Sequence, residues 1–412
     1  MKKIELLSPA GDLERLKVTL LYGADAVYIG GESYSLRANA TNFSLSDIKE
    51  GCEFAHKLGK RVHLTLNIVF HNEDIEGVYQ YIDDVVRCGI DAFIVSDPFI
   101  ISYIKKNYSN VEVHLSTQAS TTNYLAVKYF EEENIDRVVL GRETSKAEIK
   151  EIISKTNIDI ETFIHGAMCT CFSGRCALSN YVTNRDANRG GCAQVCRFTF
   201  DTNNHHMFTM ATKDLNMAQY ISDLIDIGVT SLKVEGRMRS LYYLATVIGT
   251  YRKIIDDYYN NCLTDEKMNK YEYILSRVAN REVSSHFFIK EADENDQYYT
   301  GRQEISNQDY LGLITGYDKD NCCIVLVERN YFSPGDEVEI FTPNGDIYPY
   351  IINDIYDKDL NLLEVARHPE EVLKIKFPHE LENYSMIRLI KKVNNNDWKC
   401  KRKFFVTWEK VK

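Results

Sequence analysis

A helix-turn-strand unit repeats along the first 235 or so residues, and it constrains the fold of this 412-residue chain more than any other feature. Gly23-Ala-Asp-Ala-Val27 and Gly89-Ile-Asp-Ala-Phe93 are near copies, with looser echoes at 134–138 and 228–232. Each copy marks the end of a helix, where glycine favours the left-handed cap, and the start of a buried parallel strand. The pattern predicts eight strands: Ile4–Leu7, Ala26–Ile29, Val62–Ile68, Ala92–Val95, Glu112–Leu115, Arg137–Leu140, Glu161–Ile164 and Leu232–Val234.

Eight such units predict an α/β fold, a (β/α)8 TIM-like barrel. Most predicted strands begin 20 to 36 residues apart, and no Gly-x-Gly-x-x-Gly follows the first strand, which disfavours a doubly wound nucleotide-binding sheet. Strands seven and eight, however, begin 71 residues apart. The insertion between them, at about 166–210, follows the carboxyl end of a strand, where active sites of barrels form.

The rest of the chain predicts a second domain. We expect residues 1–260 to form the barrel, 261–304 a helical linker, and 305–412 a small all-β barrel domain. The hydrophobic period changes to two after about residue 305, and Pro334-Gly335 and Asn344-Gly345 are typical turns between strands.

The composition, with 44% hydrophobic and 26% charged residues, excludes a disordered or fibrous chain. The net charge of −11 means that a polyanion must be held by a local basic patch. No apolar run reaches membrane-spanning length, and Glu5 and Pro9 interrupt any export signal, so we expect a cytoplasmic protein with no membrane contact. Eleven cysteines, an odd number, then predict free thiols rather than a disulfide framework.

Five of the cysteines fall within 28 residues of the insertion. Four of them have the spacing C-x6-C-x15-C-x3-C: Cys169, Cys176, Cys192 and Cys196. Structural zinc sites usually use two short pairs, whereas iron-sulfur clusters tolerate varied spacings, so the pattern favours an iron-sulfur site. Zinc and incidental thiols remain alternatives from spacing alone. The fifth thiol, Cys171, is expected to pack beside the cluster.

Four stretches resemble the U32 family, historically called collagenase-like peptidases. They are ETFIHGAMCTCFSGRC at 161–176, NRGGCAQVCR at 188–197, LLSPAG at 6–11 and LKVEGRMRS at 232–240. Thr170 and Cys171 depart from the family pattern, which usually has an aliphatic and a small residue there, and so does the stretch 284–289. Neither Thr170 nor Cys171 replaces a predicted cluster ligand.

The resemblance implies a cysteine-bound [4Fe-4S] cluster and hydroxyl insertion. Members of similar length and two-domain plan take part in making 5-hydroxyuridine at the wobble position of tRNA, with prephenate as a required metabolite. Longer relatives hydroxylate a ribosomal RNA cytidine. The implied partners are therefore the tRNA anticodon loop and a small dicarboxylate, and a protein partner is left open. The alternatives are a U32-type peptidase and a non-enzymatic iron-sulfur scaffold.

Polar residues follow the predicted strands at the barrel mouth. Arg37, Arg142 and Arg237 are predicted to clamp the carboxylates of a small dianion such as prephenate, together with Asn67. His165 and Glu235 are the predicted catalytic residues, His165 for proton transfer. Two alternatives stay open: a structural ring of paired charges, Arg142-Glu143 and Glu235-Arg237, and a packing role for His165.

Two places in this acidic chain are basic enough for RNA. His165–Phe200 contains four arginines and one acid, and the last 22 residues contain eight basic residues and two acids. Both tryptophans, Trp398 and Trp408, lie in that tail. Aromatic and basic side chains together are typical of single-stranded RNA contact, although a final β strand with a lysine face would show the same pattern.

Overall fold

The computed structural model describes residues 3–36, 42–201, 207–279, 281–298 and 309–390. Arg37 and the basic tail therefore lie outside the described residues. The chain divides into two compact units, Met1–Asn307 with Pro343–Gly345, and Gln308–Thr342 with Asp346–Lys412. No helix in the described ranges is long and apolar enough to cross a membrane.

The first unit contains a closed barrel of eight parallel strands. In chain order the strands of this unit are β1 (Glu5–Pro9), β2 (Ala26–Gly30), β3 (Arg61–Leu66), β4 (Ala92–Val95), β5 (Glu112–Leu115), β6 (Arg137–Val139), β7 (Asp159–Gly166), β8 (Phe200–Asp201), β9 (Met207–Phe208), β10 (Ala211–Thr212), β11 (Asp214–Asn216), β12 (Ser231–Val234), β13 (Val283–Ser284) and β14 (Gln297–Tyr298). The barrel order is β12-β1-β2-β3-β4-β5-β6-β7, and pairing of β12 with β7 closes the ring. All eight predicted strands and the barrel are confirmed.

Helices follow the barrel strands as the repeat predicts. They are α1 (Leu13–Leu21), α2 (Leu45–Lys57), α3 (Asn72–Ile75), α4 (Val78–Arg87), α5 (Pro98–Asn107), α6 (Tyr124–Glu132), α7 (Lys146–Lys155), α8 (Leu178–Thr183), α9 (Ile221–Ile227), α10 (Leu241–Tyr259) and α11 (Asp265–Val278). In α4, Val78, Ile82 and Val85 are buried on one face. Gly23 and Gly89 of the repeat have φ of 107° and 95°, a backbone conformation that side-chain-bearing residues rarely adopt.

The insertion returns to the barrel through a strand that the sequence analysis did not predict. β11 runs antiparallel to the end of β7, with Leu215 opposite Gly166 and Asn216 opposite His165, and β13 pairs with β11. The region expected to be a linker contains α11, which packs against α10 and buries Ile274 and Leu275. Further along, β14 pairs with β10. The described part of 261–304 thus packs within the first unit.

The second unit is an antiparallel β-sheet, which confirms the predicted all-β domain. Its strands are β15 (Tyr310–Asp318), β16 (Cys323–Glu328), β17 (Glu337–Phe341), β18 (Ile347–Ile351), β19 (Ile355–Asp357), β20 (Leu362–Leu363), β21 (Val372–Lys376) and β22 (Met386–Leu389). Their order is β18-β17-β22-β15-β16-β21-β19-β20, around one core that includes Leu326, Phe332 and Ile340. In the part of the chain that the structure describes, β18 and β20 are the two edges of this sheet.

Candidate metal centre and barrel mouth

The segment 167–201, called the cysteine segment below, is held by the loop that follows β3. The backbone amide of Val69 donates to the carbonyl oxygen of Asn188 at 3.0 Å. The Arg189 guanidinium donates to the Val69 carbonyl at 3.0 Å and forms a two-point ion pair with Asp74. Asp74 is stabilised as a carboxylate, because the hydrogen bond from Arg189 lowers the pKa of Asp74.

The loops after β5 and β6 hold the start of the same segment. Glu143 accepts from the backbone amide of Ser173 at 2.7 Å and from its hydroxyl at 3.3 Å. A Cβ on Gly174, whose φ is +75°, would lie 3.2 Å from Nε2 of Gln118. Because these loops all follow carboxyl ends of parallel strands, the cysteine segment lies at the carboxyl end of the barrel, as the length of the insertion predicted.

The thiols of the cysteine segment influence one another. Burial raises the pKa of Cys169, the neighbouring Cys196 and Cys176 thiols raise it further, and Arg142 opposes the shift. Burial and a hydrogen bond with Cys176 raise the pKa of Cys171 to about 12. The structure therefore brings four of the five thiols of this segment into one electrostatic neighbourhood. The remaining one, Cys192, acts in the same way on the Cys196 thiol.

Both departures from the family pattern interact with predicted ligands. Thr170 acts to lower the pKa of the Cys196 thiol, against burial, and Cys176 adds to the rise that burial causes in the pKa of Cys171. The Thr170 hydroxyl also lies 2.6 Å from the carbonyl oxygen of Met210, beyond the cysteines. Sequence reasoning expected Cys171 to pack beside the cluster and gave Thr170 no role, and no local signal indicated that Thr170 influences a thiol 26 residues away.

The donor chemistry fits an iron-sulfur cluster, since the segment offers thiols and thiolates are the usual ligands of such clusters. The arrangement is looser than a preformed site. Among the described residues, no three His, Cys, Asp or Glu side chains are placed to hold one metal ion. The segment thus has the right donors near one another, and ligation by all four predicted cysteines requires them to come closer together.

The two described arginines of the predicted clamp make different contacts. Arg142 lies with its guanidinium carbon 3.9 Å from the centre of the Phe163 ring and donates to the carbonyl of Ala167. Arg237 is buried, and its Nη1 donates to Oγ1 of Thr65 at 3.3 Å. Arg142 thus contacts β7 and the residue after it, whereas Arg237 follows β12, which pairs with β7, and contacts β3.

Two glycines lie against Arg237 and Glu235. A Cβ on Gly30 would lie 2.0 Å from Nη1 of Arg237. Gly166 has φ of +110°, and a Cβ there would lie 2.4 Å from the carbonyl oxygen of Glu235. Glu235 itself donates its amide to the His165 carbonyl at 2.8 Å. The predicted residues Glu235 and Arg237 therefore lie where β7, β12 and β2 end.

Arg142 and Glu143 both bind the cysteine segment, at Ala167 and Ser173, rather than forming the pair that the charge-ring alternative proposes. Asn67 follows β3, and its buried Oδ1 has no hydrogen-bond partner within the described ranges. An unpaired buried acceptor is costly, and the expectation that Asn67 contacts a ligand stays a prediction.

His165 lies in the layer between the barrel and α10. Its Nδ1 is 3.1 Å from the Tyr251 hydroxyl, and burial, with a contribution from Arg239, lowers the pKa of His165 to about 3. His165 faces this layer because β7 contains a bulge: Lys233 pairs with Phe163, but the next residue, Val234, pairs with His165. One extra residue reverses the side-chain alternation and turns His165 outward. This geometry matches the packing alternative for His165.

A charged layer inside the barrel was missed by the sequence analysis. Glu161 is buried and accepts from Lys233 at 2.8 Å, from Arg137 at 3.0 Å and from Ser231 at 3.1 Å. The two cations hold the pKa of Glu161 at about 2, against burial, which acts in the opposite direction. The available signal was polar residues at alternate positions of otherwise apolar strands.

Two buried histidines lie in the same interior. The rings of His63 and His114 meet edge to face, with centroids 4.7 Å apart. Burial lowers the pKa of both well below the ordinary value, and neither ring nitrogen of His63 has a partner in the described chain. Both side chains are therefore neutral at neutral pH.

Two family descriptions match the chain: "Peptidase family U32" over residues 11–298 and "Peptidase family U32 C-terminal domain" over residues 306–388. The tRNA hydroxylation protein P1 of Bacillus subtilis (strain 168) is 43% identical over 403 residues, which cover 94% of this chain and 95% of that protein. The 23S rRNA 5-hydroxycytidine C2501 synthase of Escherichia coli (strain K12) is 36% identical over 261 residues, covering 62% of this chain and 39% of that protein. A protein named collagenase from Porphyromonas gingivalis (strain ATCC BAA-308 / W83) is 32% identical over 369 residues, covering 83% of this chain and 87% of that protein.

Proposed function

Because the chain belongs to peptidase family U32, we propose that it is an iron-sulfur protein of the cytoplasm that is required for hydroxylation of a tRNA wobble uridine to 5-hydroxyuridine. The observation that carries the proposal is the group of thiols on one segment at the carboxyl end of the barrel. The similarity to the tRNA hydroxylation protein extends over nearly the full length of both chains, whereas the rRNA enzyme is matched over 39% of its length. A tRNA substrate is therefore favoured over ribosomal RNA.

In this proposal Cys169, Cys176, Cys192 and Cys196 hold a [4Fe-4S] cluster, which supplies one-electron chemistry when bound. The chain's own residues position those ligands. Glu143 fixes the backbone at Ser173, three residues before Cys176, and Arg142 fixes the carbonyl of Ala167, two residues before Cys169.

The co-substrate in this proposal is a small dicarboxylate, prephenate by family resemblance. Arg142 and Arg237 each bring a guanidinium to the barrel, and two such groups suit a molecule with two carboxylates. Asn67 adds a buried hydrogen-bond acceptor for a hydroxyl of the same molecule.

The similarity to a protein named collagenase favours a peptidase as the second candidate. A cysteine peptidase needs a thiol within reach of an imidazole that takes its proton. His165 lies four residues before Cys169, but its Nδ1 is hydrogen bonded to the Tyr251 hydroxyl in the layer between the barrel and α10. This contact disfavours His165 as the base of a cysteine peptidase.

The proposal is tested by nucleoside analysis of tRNA from a deletion strain, complemented with wild-type protein, with the variant that carries Ser at all four predicted ligands, or with Cys52→Ser as the matched control. Cys52 is a buried cysteine of the barrel. We expect 5-hydroxyuridine to disappear on deletion. It should return with the wild-type protein and with Cys52→Ser, but not with the four-Ser variant. Unchanged 5-hydroxyuridine in the deletion strain would overturn the proposal, and release of peptides by purified protein, lost in Cys169→Ser, would favour the peptidase.

A further inference from the structure

The cysteine segment exposes large aromatic side chains. Tyr181 is 89% exposed, Phe172 55% and Phe198 43%. In the short helix α8 the buried side chain is Ser179, whose hydroxyl accepts from the Ala193 amide, whereas Tyr181 and its neighbour Val182 face outward. Exposed apolar groups concentrated in one segment indicate an interaction surface rather than a core.

The same segment has an excess of positive charge that the fold does not neutralise. Of its four arginines, Arg189 is engaged by Asp74 and Glu73 on the loop after β3. Arg175 and Arg185 are exposed, and neither makes an ion pair with any residue that the structure describes. In a chain of net charge −11, two exposed and uncompensated arginines beside exposed aromatic rings are complementary to a polyanion with planar groups.

We propose that Phe172, Arg175, Tyr181 and Arg185 form the docking surface for an unpaired RNA loop. This inference rests on the proposed function and specifies where the tRNA binds. Exposed rings stack on unpaired bases, and guanidinium groups bind phosphates at two points. A fully paired duplex offers the phosphates but not the bases, so the surface selects a loop.

The chain order places this surface at the proposed cluster ligands. Phe172 follows Cys171, and Arg175 immediately precedes Cys176, whose backbone is fixed by Asn188. Tyr181 and Arg185 lie within ten residues of Arg175, across a helix of six residues. The proposed surface is therefore continuous along the chain with the proposed ligands, as chemistry on a bound base would require.

The test measures binding of an anticodon stem-loop RNA to the full chain at several salt concentrations. Arg175→Gln/Arg185→Gln should make the slope of log affinity against log salt shallower by about 1.4, the amount expected for the loss of two phosphate contacts to a single strand. Tyr181→Ala should weaken binding by about 5- to 150-fold, the value of one base stack, while Tyr181→Phe retains the ring and most of the affinity. The matched controls are Lys128→Gln/Lys150→Gln and Tyr129→Ala, exposed residues of α6 and α7 that should change neither quantity.

Unchanged affinity and salt slope in the arginine pair and in Tyr181→Ala would overturn this surface, as would an equal loss in the lysine control pair. Equal weakening for the stem-loop and for a fully paired hairpin would overturn the selection of a loop. Failure of the proposed function is distinguishable, because it appears as 5-hydroxyuridine that persists in the deletion strain. Circular dichroism and iron content that match wild type establish that each variant is folded.

Discussion

The side chain of Asn188 forms two hydrogen bonds with the main chain of Cys176: Oδ1 accepts from the amide at 3.1 Å, and Nδ2 donates to the carbonyl at 2.9 Å. The carbonyl of Asn188 in turn accepts from Val69, on the loop after β3. One amide side chain thus joins the two halves of the cysteine segment and attaches them to the barrel. It fixes the backbone of one predicted ligand against the stretch that leads to Cys192.

Removal of that amide should loosen the proposed cluster. Asn188→Ala loses two hydrogen bonds worth about 1 kcal/mol each, so the segment samples more conformations in which Cys176 is misplaced. We expect iron to be released faster to a chelator. The rate is measured from the loss of visible absorbance of the anaerobic protein. Asn180→Ala, at an exposed position of α8, is the control and should release iron at the wild-type rate. Equal rates in both variants would contradict a positioning role for Asn188.

Single Ser substitutions test the ligand set. Cys169→Ser, Cys176→Ser, Cys192→Ser and Cys196→Ser should each remove most of the iron, since a hydroxyl is a poor replacement for a thiolate ligand. Cys171→Ser and Cys52→Ser should leave iron content nearly unchanged. The measurement is iron and zinc per chain after anaerobic purification. Stoichiometric zinc without iron would show that the cluster assignment is wrong.

The buried charge layer should make Glu161→Gln strongly destabilising. Glu161 is the carboxylate that pairs with buried Lys233, so its neutralisation leaves that ammonium without its counter-charge, whereas Arg137 keeps its ion pair with Glu5. The expected loss of unfolding free energy is about 3–5 kcal/mol, measured by urea denaturation of the full chain. Glu151→Gln breaks only the exposed pair with Lys155 and should cost under about 1 kcal/mol. Similar losses in the two variants would contradict the role assigned to the interior layer.

Acid should destabilise the protein through His63. Its folded-state pKa lies well below the ordinary value because of burial, with the His114 and Arg137 charges adding to the effect. The unfolded chain therefore binds a proton first, and stability present above pH 6.5 is lost as pH falls below it. His63→Phe should flatten the dependence of unfolding free energy on pH between 7 and 5, and an unchanged slope would contradict this account.

The anion site is tested at Arg237, the buried member of the predicted clamp. Arg237→Lys keeps the positive charge but removes the planar guanidinium that can bind a carboxylate at two points. The affinity for prephenate, measured by calorimetry, should therefore fall about tenfold or more. Arg87→Lys changes an exposed arginine of α4 that pairs with Asp84 and serves as the control. Wild-type affinity in Arg237→Lys would show that this guanidinium does not contact the dianion.

The glycines of the repeat and the alternation of apolar runs were readable from the sequence because they act within a few residues. Gly23 and Gly89 adopt the left-handed conformation expected at helix ends, and the predicted strands closed into a barrel. The cysteines were readable for a similar reason, since four ligand candidates in one insertion remain near one another wherever that insertion folds.

Strand register and ring closure determined the side-chain directions and the long-range pairs, because they join residues that are distant along the chain. The sequence by itself determined the eight barrel strands, the glycine caps between them and the group of thiols. Only the tertiary structure decided that one extra residue in β7 turns His165 away from the mouth. It also decided that Glu161 pairs with Lys233, which lies 72 residues further along the chain. It also decided that Arg142 and Glu143 bind the cysteine segment instead of each other. A side chain's direction follows from pairing with neighbouring strands, and local propensity does not encode which neighbours those are.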